Sequence, residues 1–208
     1  MAKKLKVKIC GLNDSVNIQE VASLKPDFIG FIFYPSSPRN FTIKECPNIP
    51  SIIQKVGVFV NATAEEIVKT YVDYHLNFVQ LHGHESPELC YHLYKQGIPV
   101  IKVFSINENF DFCITSDYEP YCEYFLMDSL RGGSGKTFDW NLLKNYQGKV
   151  PFLLAGGISL ENLSQVLDFQ HQRLIGVDLN SRWEVQYGIK NIELLKKGLE
   201  KLNEYDKT

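Results

Sequence analysis

Phe152-Leu153-Leu154-Ala155-Gly156-Gly157-Ile158-Ser159-Leu160-Glu161-Asn162 is the stretch whose reading decides the fold. A strand-length apolar run ends in a glycine pair, helical spacing of apolar residues follows from Leu160 to Phe169, and a second apolar run, Leu174 to Asp178, completes the unit. The same order recurs towards the N-terminus. Further strand-like runs are Val7 to Cys10, Phe28 to Phe33, Val56 to Val60, Phe78 to Leu81, Val100 to Phe104 and Tyr124 to Asp128. Helical spacing appears at Ala64 to Tyr74, Pro87 to Gln96, Asn141 to Tyr146 and Asn191 to Leu202. Strand starts fall roughly 20 to 28 residues apart, the length of one strand-helix unit, and eight units fill the chain. The expectation is an α/β fold, one (β/α)8 barrel of eight parallel strands forming a single domain over residues 1–208. Ser86-Pro87 and Ser159 mark helix starts. The segment 106–120 has no clean 3.6-residue period, so the fifth helix is expected to be short or replaced by a loop.

The chain has 208 residues, 44% of them hydrophobic, enough for a substantial core. Its 22 basic and 24 acidic residues give a net charge of −2 with no long block of one sign, which argues against nucleic acid and for a small-molecule partner. Five cysteines (Cys10, Cys46, Cys90, Cys113 and Cys122) are odd in number, without close pairing or a secretory signal peptide, and read as reduced thiols in the cytoplasm. No apolar run approaches the ~20 residues of a membrane-spanning helix.

In such a barrel the chemistry sits at the C-terminal ends of the strands, and alternation nominates the side chains that face inward. Lys8 and Cys10 share one face, Gln80 and His82 another, Lys102 and Phe104 a third, and Leu126 and Asp128 a fourth. Lys8, Lys102, Asp128 and Asp178 would then form a charge-compensated polar layer near the mouth. Cys10 ends the first strand beside Gly11, as either an inert buried thiol or a base whose thiolate a neighbouring Lys8 would favour. Asp128 is either a cap or ion-pair partner, or an acid desolvated when the following Gly132-Gly133-Ser134-Gly135-Lys136-Thr137-Phe138-Asp139-Trp140 closes over it as a lid. That run resembles a nucleotide-binding phosphate loop, but the required glycine five residues before Gly135 is Leu130.

Arg39 follows the proline-stiffened Pro35-Ser36-Ser37-Pro38, as a fork for a carboxylate or phosphate or as an ordinary surface charge. The amides of Gly156 and Gly157, with the loop Asp178, Asn180 and Ser181 after the eighth strand, are candidates for a phosphate site. His82 and His84 lack partners with metal-ligand spacing, so no metal is assigned. His75, His92 and His171 read as surface or helix-face residues.

Together, Lys8-Ile9-Cys10-Gly11, Gly30-Phe31-Ile32-Phe33-Tyr34-Pro35 with Ser37-Pro38-Arg39, Val56-Gly57-Val58-Phe59-Val60-Asn61, Val79-Gln80-Leu81-His82-Gly83, the Gly132 to Trp140 run and Ala155-Gly156-Gly157-Ile158 resemble the phosphoribosylanthranilate isomerase family over nearly the whole chain. The resemblance implies a cofactor-free Amadori rearrangement in tryptophan biosynthesis. It implies Asp128 as general acid, Cys10 as general base and Arg39 on the anthranilate carboxylate, with His82, Gly156, Gly157, Asp178, Asn180 and Ser181 also binding the substrate. It implies a small phosphorylated substrate, no metal, nucleic acid or membrane, and a monomer or homodimer. The alternative is another phosphosugar isomerase of the same barrel type; the histidine-pathway kind would need Asp in place of Cys10. Two stretches depart from the family pattern. Leu12-Asn13 replaces a small apolar residue and Thr, and Asp178-Leu179-Asn180-Ser181-Arg182-Trp183-Glu184 replaces Asp-Val-Ser-Ser-Gly-Val-Glu, leaving Arg182 either to supply a charge or to face solvent.

Overall fold

The computed structural model describes residues 4–45, 47–129 and 139–205. Eight strands, β1 (Lys6–Cys10), β2 (Phe28–Phe33), β3 (Gln54–Phe59), β4 (Phe78–Leu81), β5 (Val100–Ile106), β6 (Tyr124–Ser129), β7 (Phe152–Leu154) and β8 (Leu174–Leu179), each pair in parallel with the next. β8 pairs back onto β1, with Lys6 opposite Gly176 and Lys8 opposite Asp178, and so closes the expected barrel. The helices are α1 (Ser15–Ser23), α2 (Ala64–Asp73), α3 (Pro87–Lys95), α4 (Leu163–Asp168) and α5 (Ile192–Tyr205). A two-stranded hairpin, β9 (Glu184–Gln186) and β10 (Ile189–Lys190), lies between β8 and α5.

Local chemistry explains where the helices are and are not. Thr63 and Glu66 form a reciprocal capping box that starts α2. The fifth connection carries a 3-10 turn (Phe112–Asp117), short as expected, and the sixth carries another (Trp140–Asn145), whose start is fixed by the Asp139 carboxylate accepting from Asn141 N at 3.0 Å. Between β2 and β3 the described residues form no helix, because Pro35, Pro38, Pro47 and Pro50 each remove an amide donor and fix φ. Phe41 fills the space instead, against Phe31 (4.6 Å between centroids) and Phe33 (5.6 Å). The α4 helix starts later than Ser159, since that residue's amide donates to Asn162 Oδ1 (2.8 Å) in a turn that delays the first helical residue.

Two apolar clusters hold the fold. The larger packs the outer faces of the strands on the helices; the smaller fills the barrel, with Phe28, Val56, Ile101, Val103, Leu126, Leu153, Ala155 and Ile175. Its floor is a triangle of rings, Phe28, Phe78 and Tyr124, with centroids 5.7 to 6.2 Å apart, contributed by the starts of alternate strands. Ile101 and Val103 therefore take the inward positions of β5. Lys102 points outward, contrary to the parity expected from the sequence.

The closing seam depends on the absence of a side chain. A Cβ on Gly176 would overlap the Lys6 carbonyl oxygen, a backbone atom that cannot move without parting β1 from β8. Gly176→Ala is therefore expected to destabilise the barrel by about 1–3 kcal/mol, lowering the thermal midpoint by roughly 2–10 °C. An unchanged midpoint in a thermal melt would show that the seam accommodates the methyl group.

Candidate active site

The inward side chain of Lys8 is fully buried, and its ammonium meets Asp178 Oδ1 at 2.9 Å across the seam. Burial alone would lower its pKa, but Asp178 and Cys10 outweigh burial and hold Lys8 above its ordinary value. Cys10 lies two residues further along β1, 3% exposed, on the cavity wall. Gly30 makes room for it, since a Cβ there would lie 2.7 Å from the Cys10 sulfur. Burial, together with the charge of Asp178, pushes the Cys10 thiol above its ordinary value against the pull of Lys8 and Lys190. The expectation that Lys8 favours the thiolate is thus right in direction and outweighed in size.

Asp128, at the end of β6, is 5% exposed. Its Oδ1 accepts from Ser129 N at 2.7 Å, and its Oδ2 lies 3.4 Å from His82 Nε2. Gln80 Nε2 lies 3.4 Å from His82 Nδ1, so the ring bridges Gln80 and Asp128. Gly156, with φ of +86°, passes close by, where a Cβ would lie 3.0 Å from Asp128 Oδ1. The lid expected over Asp128 runs from Gly132 to Trp140; its residues 132–138 lie outside the described residues, and Trp140 is buried at 8% exposure.

The polar layer at the mouth does not include Lys102. Its ammonium sits on the outer side of the sheet, bonded to Glu85 Oε2 (2.9 Å) and to the carbonyl of Gly83 (2.9 Å). Glu85 also accepts from the amides of Asn61 and Gly83. Burial would raise its pKa, but Lys102 and the Asn61 amide hold Glu85 below the usual carboxylate range. The cluster ties the loops after β3 and β4 together behind His82.

Arg39 is 6% exposed rather than a free surface charge. Its Nε and Nη2 bond both oxygens of Glu184 at 2.7 to 3.0 Å, and its Cζ lies 4.8 Å from the Tyr187 ring centroid. Nη1 is the guanidinium nitrogen without a protein hydrogen-bond acceptor among the described residues. Glu184 also accepts from Lys190 Nζ (2.7 Å), which in turn donates to Asn180 Oδ1 (2.8 Å). Burial drops Lys190 to about 8 against the pull of Glu184. Arg39 and Lys190 overcome the effect of burial on Glu184 and keep it below the usual carboxylate range.

The loops after β7 and β8 face each other across this network. Gly156 and Gly157 both take positive φ, and the Gly157 carbonyl accepts from Asn162 Nδ2 at 2.9 Å. After β8, Asn180 and Ser181 line the cavity, and Ser181–Trp183 form a 3-10 turn closed by Trp183 N donating to Asn180 O (3.0 Å). Arg182 is not in the left-handed region, so the loop forms without the glycine of the commoner family pattern. Its side chain is exposed and does not line the cavity. Trp183 is fully buried, and its indole N–H donates to Ile158 O at 2.8 Å, joining loop eight to loop seven. Gly198 of α5 leaves room for that ring. At the other departure, Leu12 is buried and Asn13 N donates to Gly188 O of the hairpin (3.2 Å).

Cys10, Asp128, Arg39, His82, Gly156, Gly157, Asp178, Asn180 and Ser181 all line one cavity of about 510 Å³ at the C-terminal ends of the strands. Glu184, Tyr187 and Lys190 were not anticipated. Glu184 stands 145 residues from the arginine it holds, a pairing that no local pattern reveals. Among the described residues no helix is long and apolar enough to cross a membrane.

Comparison with known proteins points the same way. The family model for N-(5'-phosphoribosyl)anthranilate (PRA) isomerase matches residues 7–201. An N-(5'-phosphoribosyl)anthranilate isomerase from Parabacteroides distasonis is 44% identical, over 94% of this chain and 92% of its own length. The crystal structure of phosphoribosyl anthranilate isomerase from Thermus thermophilus superposes with a TM-score of 0.85 at 28% identity, covering 96% of this chain and 99% of that one. A phosphoribosyl anthranilate isomerase in complex with reduced 1-(o-carboxyphenylamino)-1-deoxyribulose 5-phosphate superposes with a TM-score of 0.82 at 29% identity, covering 96% and 99%. The chain belongs to the N-(5'-phosphoribosyl)anthranilate isomerase family.

Proposed function

We propose that this barrel mouth converts N-(5'-phosphoribosyl)anthranilate into 1-(2-carboxyphenylamino)-1-deoxyribulose 5-phosphate, an aldose-to-ketose isomerisation of tryptophan biosynthesis, with Cys10 and Asp128 as its base and acid. The observation that carries the assignment of roles is one cavity lined by a thiol, a carboxylate, a guanidinium fork and two glycine- or amide-rich loops. Each part matches a part of the substrate. Nη1 of Arg39 suits the anthranilate carboxylate, and the backbone amides at Gly156–Gly157 and Asn180–Ser181 suit the phosphate. The sugar then spans the gap between them, over Cys10 and Asp128.

Protonated Asp128 gives its proton to the furanose ring oxygen as the C1–O bond breaks, and the anilino nitrogen lone pair forms the C1=N iminium. The Cys10 thiolate takes the C2 proton, and the C2–H electron pair becomes the enolamine double bond. Tautomerisation moves the C2 hydroxyl proton to C1 and forms the C2=O ketone, so atoms and charge balance without an external oxidant or reductant. The ammonium of Lys8 stabilises the thiolate when it forms. A positioned acid or base is typically worth ~10²–10⁴ in rate, in keeping with a two-proton-transfer reaction. We also assign the enzyme to the cytoplasm, in keeping with small-molecule biosynthesis.

Cys10→Ala and Asp128→Asn are each expected to lower kcat by roughly 10²–10⁴ while the far-UV circular dichroism is retained. Turnover near wild type in either, followed by loss of phosphoribosylanthranilate fluorescence, would remove that residue from the chemistry. Arg39→Ala should raise KM more than it lowers kcat, because the carboxylate is held in ground and transition states alike; an unchanged KM would exclude Arg39 from the site.

A further inference from the structure

We propose that Tyr187 determines this site's selectivity for an aryl carboxylate, by fixing the plane of Arg39 and forming the aromatic wall against which the substrate ring lies. The inference deepens the reaction assigned above and rests on it. Tyr187 is 65% exposed, yet its ring covers the Arg39 guanidinium at 4.8 Å and lines the same cavity as Cys10 and Asp128. A large exposed ring at a cavity rim, already committed on one side to a cation, offers its remaining surface to a ligand.

The mount of this ring is built from four sides. Tyr187 and Gly188 form the two-residue tip between β9 and β10, with Gly188 at φ of +83° and Ile189 opposite Gln186 in the ladder. The Gly188 carbonyl accepts from Asn13 N, and the Gly188 amide donates to Glu184 Oε1 at 3.2 Å. Lys190 exchanges two backbone bonds with the Asn17 side chain, at 2.6 and 3.0 Å. The tip is thus tied to β1's following loop, to α1 and to the glutamate that holds Arg39. Glu184 holds the Nε and Nη2 edge of the guanidinium and the Tyr187 ring lies 4.8 Å from its Cζ, so the nitrogen left without an acceptor among the described residues, Nη1, is beside that ring. A carboxylate arriving there brings whatever carries it alongside the Tyr187 ring. A flat aryl group covers that ring; an aliphatic chain leaves most of it wet.

The test uses the full chain, wild type and Tyr187→Ala, Tyr187→Leu and Tyr187→Phe. It measures steady-state turnover of phosphoribosylanthranilate, inhibition by anthranilate, and inhibition by ribose 5-phosphate, which has the phosphosugar and no aryl group. Ala and Leu are expected to raise KM and the anthranilate inhibition constant by roughly tenfold, with kcat within about threefold and ribose 5-phosphate inhibition unchanged. Phe, which keeps the ring, restores both constants. An unchanged KM in Tyr187→Ala overturns the proposal. So does an equal weakening of both inhibitors, which would mean that the ring only props the hairpin, or a Leu variant that behaves like Phe. If wild type fails to turn over phosphoribosylanthranilate, the reaction assignment falls. Calorimetric binding of anthranilate to wild type and Tyr187→Ala then still decides on Tyr187: a roughly tenfold weaker Kd supports it, and an equal Kd overturns it.

Discussion

A single buried ammonium organises the barrel. Lys8 is fully enclosed on the inner face of β1, where an unpaired charge would cost several kcal/mol, and Asp178 answers it at 2.9 Å from the strand that closes the sheet. The register of the seam and the neutralisation of Lys8 are therefore the same event: a shift of β8 along β1 would strand both charges. Cys10 inherits its position from this pairing, two residues beyond Lys8 on the same face, with Gly30 giving it room. The cation that stabilises the seam is also the one nearest the thiol, so stability and chemistry draw on one group.

A second charge cluster works by a different logic. Glu184 is one carboxylate shared by Arg39 and Lys190, and the resulting excess of positive charge lies on the side of the cavity assigned to anionic substrate groups. Burial keeps Lys190 at about 8, close to neutral conditions, so this excess is poised rather than maximal. The hairpin that carries Glu184 and Lys190 is short, but its ties to Asn13 and Asn17 link it to the first strand-helix unit, and the last loop of the chain is thereby anchored by the first.

Much of this was legible in the order of residues. Strand-length apolar runs at a steady spacing identify the barrel because each unit must bury one face inward and one on a helix. Cys10 and Asp128 stood out because both end strand-like runs and are followed by glycine, Gly11 at once and Gly132 four residues on. Lys102 did not follow its strand's apparent parity. Both neighbours, Ile101 and Val103, are apolar, and the lysine turns outward because Glu85 and the Gly83 carbonyl supply its partners there, a fact set by the loop after β4 rather than by β5. Burial depth was also invisible: the proximity of Lys8 to Cys10 can be read from their spacing, but the desolvation that outweighs it cannot. The partners of Arg39 lie on a hairpin too brief to show a period.

Trp183 gives the molecule a coupled pair of positions. Its ring occupies space that Gly198 leaves open in α5, and its N–H closes the Ile158 carbonyl, so helix, loop seven and loop eight meet on one indole. A drift at 183 towards the smaller residue of the commoner family pattern would open a void, and a drift at 198 towards any side chain would expel the indole. Neither site can wander alone. A loop eight transplanted into this barrel therefore brings with it a requirement on the residue at 198 of α5.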